Sequence, residues 1–187
     1  MKHIMLDDIL RNRGLREGVV SAMKTGSIFI YPTDTVYGIG CNAENPSSVR
    51  RIREIKGTDH PFSVIAPSVE WIEYSLRADS KEYLKKLPGP YTLIFLKKGN
   101  MLDEASRGKS LGVRIPKHGF TKLVEEAGVP FVTTSANISG QPVIRSVKDM
   151  PERLLGDVDF VIDGGELGGK ASTVVDLTGV KPMILRE

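Results

Sequence analysis

The sequence predicts one α/β or α+β domain built on a twisted mixed sheet. Three observations carry that expectation. Short β-branched or aromatic runs alternate irregularly with segments of helical periodicity from one end to the other. No repeat, low-complexity tract or Pro/Gly-rich linker divides residues 1–187. A chain of 187 residues, 40% of them hydrophobic, is also long enough to bury one full core.

Leu15, Val19, Ala22 and Met23 fall on one face of a helix over 15–24, and Gly26 is placed to end it. Residues 27–31 read as a buried strand closed by Pro32, which has no N–H for the ladder. Thr33, Asp34, Thr35 and Tyr37 then offer hydroxyls and a carboxylate, followed by Gly38 and Gly40. Glycines there let the backbone approach a ligand or adopt positive φ. The stretch suits the floor of a small-molecule pocket, and equally a polar turn into the next strand.

Asn45 and Pro46 begin a second helix as N-cap and N1, with Val49, Ile52 and Ile55 as its stripe and Gly57 as its end. A strand over 61–66 and helices over 69–74 and 80–87 precede the break at Pro88-Gly-Pro90. Residues 91–96 form the strongest strand signal, and 97–109 read as a polar loop. Further strands are expected at 110–116 and 129–134, with a helix over 120–127 between them and a loop over 135–140 after them. A helix over 147–155 and strands at 159–163, 172–177 and 183–186 complete the chain.

Composition narrows the function classes. No apolar run approaches the roughly 18 residues of a membrane span. The N-terminus carries acids where a signal peptide has its apolar core, so the expected compartment is the cytoplasm, with no membrane contact. A single cysteine, Cys41, excludes an intrachain disulfide and a thiolate metal cluster. The net charge of +3 sets 26 basic against 23 acidic residues, too mild a balance to establish nucleic-acid binding. Clusters such as Arg50/Arg51/Arg53/Lys56, Lys97/Lys98 and Arg107/Lys109 read first as solvated faces, though together they can attract a phosphate backbone.

Several motifs fail on their context. Gly164 to Lys170 satisfies G-x-x-x-x-G-K, but Ala171 stands where a P-loop needs Ser or Thr, and a strand follows in place of a helix. His3, His60 and His118 lack metal-ligand spacing, so no protein-only metal site is expected. Asn137-Ile-Ser139 is formally a glycosylation sequon but carries no weight without a secretion signal. Arg114, between Val113 and Ile115 in an apolar strand, needs an anionic partner: a structural ion pair, or a ligand carboxylate or phosphate.

Six blocks occur in order: residues 31–40 (YPTDTVYGIG), Lys56-Gly57, residues 88–92 (PGPYT), 113–116 (VRIP), 134–137 (TSAN) and 172–176 (STVVD). As a set they resemble the YrdC/TsaC family, threonylcarbamoyl-AMP synthases of tRNA modification, in its single-domain form. The resemblance implies a YrdC-like fold, a twisted mixed sheet with flanking helices around a large positively charged cavity. It also implies synthesis of threonylcarbamoyl-adenylate from L-threonine, bicarbonate or CO₂, and ATP with Mg²⁺, releasing pyrophosphate. The product would serve a downstream threonylcarbamoyl-transferase complex acting on tRNA position 37.

By motif, Thr35, Arg114, Thr133 and Ser172 would bind threonine, with Arg114 on its carboxylate. Lys56, Thr58, Ser110, Ser135, Asn137 and Arg186 would face the nucleotide, with Lys56, Ser135 and Asn137 as the catalytic group. The family pattern Lys-x-Arg reads Lys56-Gly57-Thr58 here, which removes one phosphate-facing guanidinium. The following segment, 59–63, is shorter than usual. Both departures resemble YciO-like paralogues of weaker or different activity. A module that grips tRNA or double-stranded RNA by its backbone is the alternative from another class, and its binding would weaken steeply with salt.

Overall fold

The computed structural model describes residues 1–138 and 140–187, so Ser139 of the formal sequon lies outside the described residues. Ten strands form one mixed sheet. In chain order they are β1 (Lys2–Met5), β2 (Phe29–Tyr31), β3 (Gly38–Gly40), β4 (Ser63–Ile65), β5 (Tyr91–Leu96), β6 (Ser110–Arg114), β7 (Phe131–Ser135), β8 (Phe160–Asp163), β9 (Thr173–Asp176) and β10 (Met183–Arg186). Their order across the sheet is β1-β8-β2-β3-β7-β4-β6-β5-β9-β10. The helices are α1 (Leu6–Arg11), α2 (Arg13–Lys24), α3 (Pro46–Lys56), α4 (Val69–Ser75), α5 (Lys81–Leu84), α6 (Asp103–Ser106), α7 (Thr121–Ala127) and α8 (Glu152–Gly156), with a 3₁₀ turn at Val147–Asp149.

Alternation along the strands sorts two cores onto the two faces of the sheet. Ile28, Ile30, Val64, Val113, Val132 and Val161 point to the face covered by α3, α4, α5, α6 and α8. Phe29, Tyr31, Ile65, Phe131, Phe160 and Ile162 point to the opposite face, where α1, α2 and α7 pack. Tyr31 stacks on Phe120 at 4.2 Å between ring centroids, and Phe29 on Phe160 at 4.6 Å. On this second face the helices stop short of β6, β5 and β9. The residues there switch from apolar to polar: Ser63 and Thr133 pair in register where Ile65 and Phe131 pair two residues along.

The caps follow the sequence closely. The Asn45 side chain accepts from Ser48 N–H with Pro46 at the first turn, and Gly57 ends α3 in the left-handed region at φ 59°. Other elements differ from expectation. β1 and α1 precede the expected first helix, α5 is shorter than 80–87, and the 97–109 segment contains α6. Gly38 and Gly40 do not take positive φ. They lie in β3, where a Cβ on Gly40 would sit 1.8 Å from the Val132 carbonyl oxygen, so that glycine serves close strand approach. The cluster read as a solvated helix face is also corrected: Arg53 and Lys56 are buried, because they continue the Val49/Ile52 stripe at i+4.

Candidate active site

The uncovered part of the second sheet face forms the floor of a cleft of about 240 Å³. Its polar lining includes Thr35, Ser63, Thr92, Arg114, Thr133, Ser135, Ser172 and Arg186, drawn from five strands, the loop after Pro32 and the residue before β9. Pro61 and Phe62 form part of the wall, and Val143, Ala171 and Val174 add apolar surface.

Arg114 stands at the end of β6 and is 7% exposed. Its Nη2 donates to Asp34 Oδ1 at 2.6 Å, and Nη1 and Nη2 both reach Thr35 Oγ1 at 3.3 Å. Nε is buried with no partner among the described residues. Burial lowers the pKa of the guanidinium, and the Asp34 carboxylate opposes that shift. The hydroxyls beside it form a directed chain. Thr33 Oγ1 donates to Val36 O at 2.7 Å, so in its 2.9 Å contact with Thr35 it acts as acceptor. The Thr35 hydroxyl proton therefore points away from Arg114 and leaves its oxygen to accept from the guanidinium.

On the opposite wall Thr92 and Ser172 share a hydrogen bond of 2.8 Å. Arg186, on the exposed edge strand β10, donates to Ser172 O from Nε at 3.0 Å and from Nη2 at 2.9 Å. The glycine loop between β8 and β9 leads into this wall. A Cβ on Gly169 would lie 2.5 Å from Thr35 O, so only glycine lets the loop rest on the 33–35 segment.

Lys56 lies behind the cleft at the C-terminus of α3. Its ammonium donates to Ser135 O at 2.7 Å, Asn137 O at 2.6 Å and Asn137 Oδ1 at 3.2 Å. Asn137 Oδ1 also accepts from Ser135 Oγ. Three N–H groups thus meet three acceptors and fix the loop that follows β7. Burial pushes the Lys56 ammonium down to about 8.

The expected site residues therefore divide. Thr35, Arg114, Thr133, Ser135, Ser172 and Arg186 line one cleft. Lys56 and Asn137 shape its rim from behind. Ser110 shares the cleft-facing side of β6 with Arg114, four residues and roughly 13 Å away along the strand. Thr58 sits in the turn after α3, where its hydroxyl accepts from His60 N–H at 3.2 Å. Ser63, Thr92 and Asp34 are additional. The alternation of Ser63 with the buried Val64 was the available signal for the first, and that of Thr92 with the buried Leu93 for the second.

Among the described residues no group of three His, Cys, Asp or Glu is placed to hold a metal ion. Among the described residues, no helix is long and apolar enough to cross a membrane.

Comparison with known proteins follows the same lines. The Sua5/YciO/YrdC family model, described as "telomere recombination", matches residues 21–187. The threonylcarbamoyl-AMP synthase of Pyrococcus abyssi is 37% identical over 174 residues, covering 88% of this chain and 51% of its own length. Escherichia coli YciO, named an uncharacterized protein, is 33% identical over 181 residues, covering 90% of this chain and 86% of its own. The crystal structure of P. abyssi Sua5 complexed with L-threonine superposes with a TM-score of 0.86 at 32% identity, over 99% of this chain and 56% of that one. The chain thus spans about half the length of the P. abyssi relative and most of YciO.

Proposed function

The chain belongs to the Sua5/YciO/YrdC family, and we propose that it is a threonylcarbamoyl-AMP synthase using L-threonine, bicarbonate or CO₂, and ATP. One observation carries this reading: a buried arginine, held by Asp34 and Thr35, faces a hydroxyl-lined cleft. Arg114 supplies the cation for threonine's carboxylate, and Thr35, Thr133 and Ser172 supply polar groups for the rest of the amino acid. The neutral amine of bound threonine attacks CO₂ and loses a proton to give the carbamate. A carbamate oxygen then attacks the α-phosphorus of ATP, the bond from that phosphorus to the bridging oxygen breaks, and pyrophosphate leaves with the electron pair. Positioning and charge stabilisation do most of this work, and no side-chain nucleophile is needed.

Ser135 and Arg186 face the nucleotide in this reading, and Lys56 and Asn137 shape the loop that meets it. The described residues offer no carboxylate cage, so Mg²⁺ would arrive on the phosphates of ATP. The product would pass to a transferase complex acting on tRNA in the cytoplasm. Contact with tRNA or double-stranded RNA is supported by the net charge of +3 and by exposed basic residues such as Lys98 and Lys109.

A second reading, a YciO-like protein of low turnover, is favoured by two particulars. Thr58 occupies the position of a family arginine, and all three N–H groups of Lys56 are engaged by protein acceptors. Pyrophosphate release from ATP and Mg²⁺, with threonine and bicarbonate each present or omitted, separates the readings. Release that requires both supports the synthase. ATP binding with no release under any combination removes it.

A further inference from the structure

Asp34 does not line the cleft, yet it touches the group that gives the cleft its chemistry. Its side chain is 10% exposed, and both carboxylate oxygens are engaged. Oδ1 accepts from Arg114 Nη2 at 2.6 Å, and Oδ2 accepts from the backbone N–H of Lys117 at 2.9 Å. Lys117 lies just beyond β6, in the turn where His118 N–H donates to Pro116 O. The carboxylate therefore braces the guanidinium against the backbone that follows the arginine's own strand. Beneath it, the 33–36 turn is tied by the Thr33 hydroxyl, and Gly169 packs against its carbonyls.

From this geometry we infer that Asp34 is a positioning residue for Arg114, orienting the guanidinium so that its remaining N–H capacity is directed at a ligand carboxylate. Asp34 does not itself hold that carboxylate, because one carboxylate repels another and each Asp34 oxygen is already bonded, one to Arg114 and one to Lys117 N–H. The two acceptors explain the residue type. Asparagine has a single acceptor oxygen, so its NH₂ would meet either the guanidinium N–H or the Lys117 N–H, donor against donor. That the ligand is threonine rests on the proposed function; the brace does not.

The test uses Asp34→Asn in the full chain, with two readouts. Side-chain ¹H–¹⁵N spectra report rotation of the Arg114 guanidinium without any ligand. Calorimetric titrations report L-threonine and ATP separately. The expected result is resolved Arg114 Nη signals in the wild type that average together in Asp34→Asn. Threonine affinity should fall about tenfold with ATP affinity unchanged, and Asp34→Asn should add no further loss in an Arg114→Ala background. Unchanged Arg114 signals, or the same threonine loss in both backgrounds, would overturn the inference. A parallel loss of threonine affinity, ATP affinity and melting temperature would do the same, by reducing Asp34 to a general structural role.

If the neutral variant fails to fold, Asp34→Glu keeps the charge and displaces the oxygens by one methylene. Weakened threonine with unchanged ATP then supports the brace, and no change in either opposes it. If the wild type binds no threonine while Asp34→Asn still frees the Arg114 signals, the proposed function falls and the positioning role stands.

Discussion

Arg53 and Arg114 are equally buried, at 6% and 7% exposed, and they commit their guanidinium groups in opposite ways. Arg53, on α3, donates to three backbone carbonyls: His60 O and Glu104 O at 2.7 Å and Ala105 O at 3.1 Å. It also lies over the Phe62 ring, 4.3 Å from the centroid. It stitches the turn after α3 to α6, and its acceptors are main chain. Arg114, on β6, is held among the described residues by side chains, Asp34 and Thr35, at the wall of a cavity. The Nε of each is buried with no partner among the described residues, so the difference lies in what the other nitrogens hold: a buried cation bonded to backbone carbonyls is part of the fold. One braced by side chains beside a cleft retains capacity for a ligand. Burial alone does not distinguish the two.

The contrast can be broken from either side. The largest expected effect is that of Arg53→Ala, which leaves His60 O and Glu104 O without this donor, at about 1–3 kcal/mol each if they stay buried, and removes the contact with the Phe62 ring, while Ala105 O keeps the Phe62 N–H. Thermal unfolding should show a drop of more than about 10 °C, while the folded fraction keeps its threonine affinity. Next is Arg114→Ala. Losing charge-assisted hydrogen bonds worth about 2–3 kcal/mol should weaken threonine binding roughly 30- to 150-fold, with a melting shift of only a few degrees. An Arg114→Ala protein that unfolds would make the Arg114–Asp34 ion pair a part of the fold, as the main-chain bonds of Arg53 are.

A smaller effect is expected at the nucleotide end. On the proposed function, Thr58→Arg would add a guanidinium facing the phosphates and should raise ATP affinity or turnover about fivefold, equivalent to about 1 kcal/mol. No change would remove the missing arginine as a cause of low turnover. A further test is in pH. The Lys56 ammonium is depressed by burial from its ordinary 10.5 to about 8, so between those values the unfolded chain holds more protons than the folded one. The stability of wild type relative to Lys56→Met should therefore rise with pH from about 8 to 10.5 and be flat below that window. Denaturant titrations across this range provide the check.

Much of this was legible in the sequence where a local rule suffices. Pro32 ending β2, the Asn45 cap, Gly57 and Gly128 ending helices, and the strand over 91–96 all follow from propensity and backbone geometry. Arg114 was legible as a charge inside an apolar strand. The tertiary commitments were not. Arg53 and Lys56 sit beside the exposed Arg50 and Arg51, and charge clustering obscured what periodicity held: Val49, Ile52, Arg53 and Lys56 form one i, i+3, i+4, i+7 stripe. Asp34 was visible as a carboxylate after the strand, but its partners Arg114 and Lys117 lie some eighty residues away. α6 is bracketed by Leu102 and Arg107, two non-glycine residues at positive φ, a conformation that composition gives no reason to expect.

The most direct test of the central claim compares L-threonine with L-threoninamide, which lacks the carboxylate, in calorimetric titrations of wild type and Arg114→Ala. The account predicts that the wild type prefers threonine by at least about 30-fold and that the preference vanishes in the variant. Equal affinity for the two ligands in the wild type, or the same preference in both proteins, would contradict it.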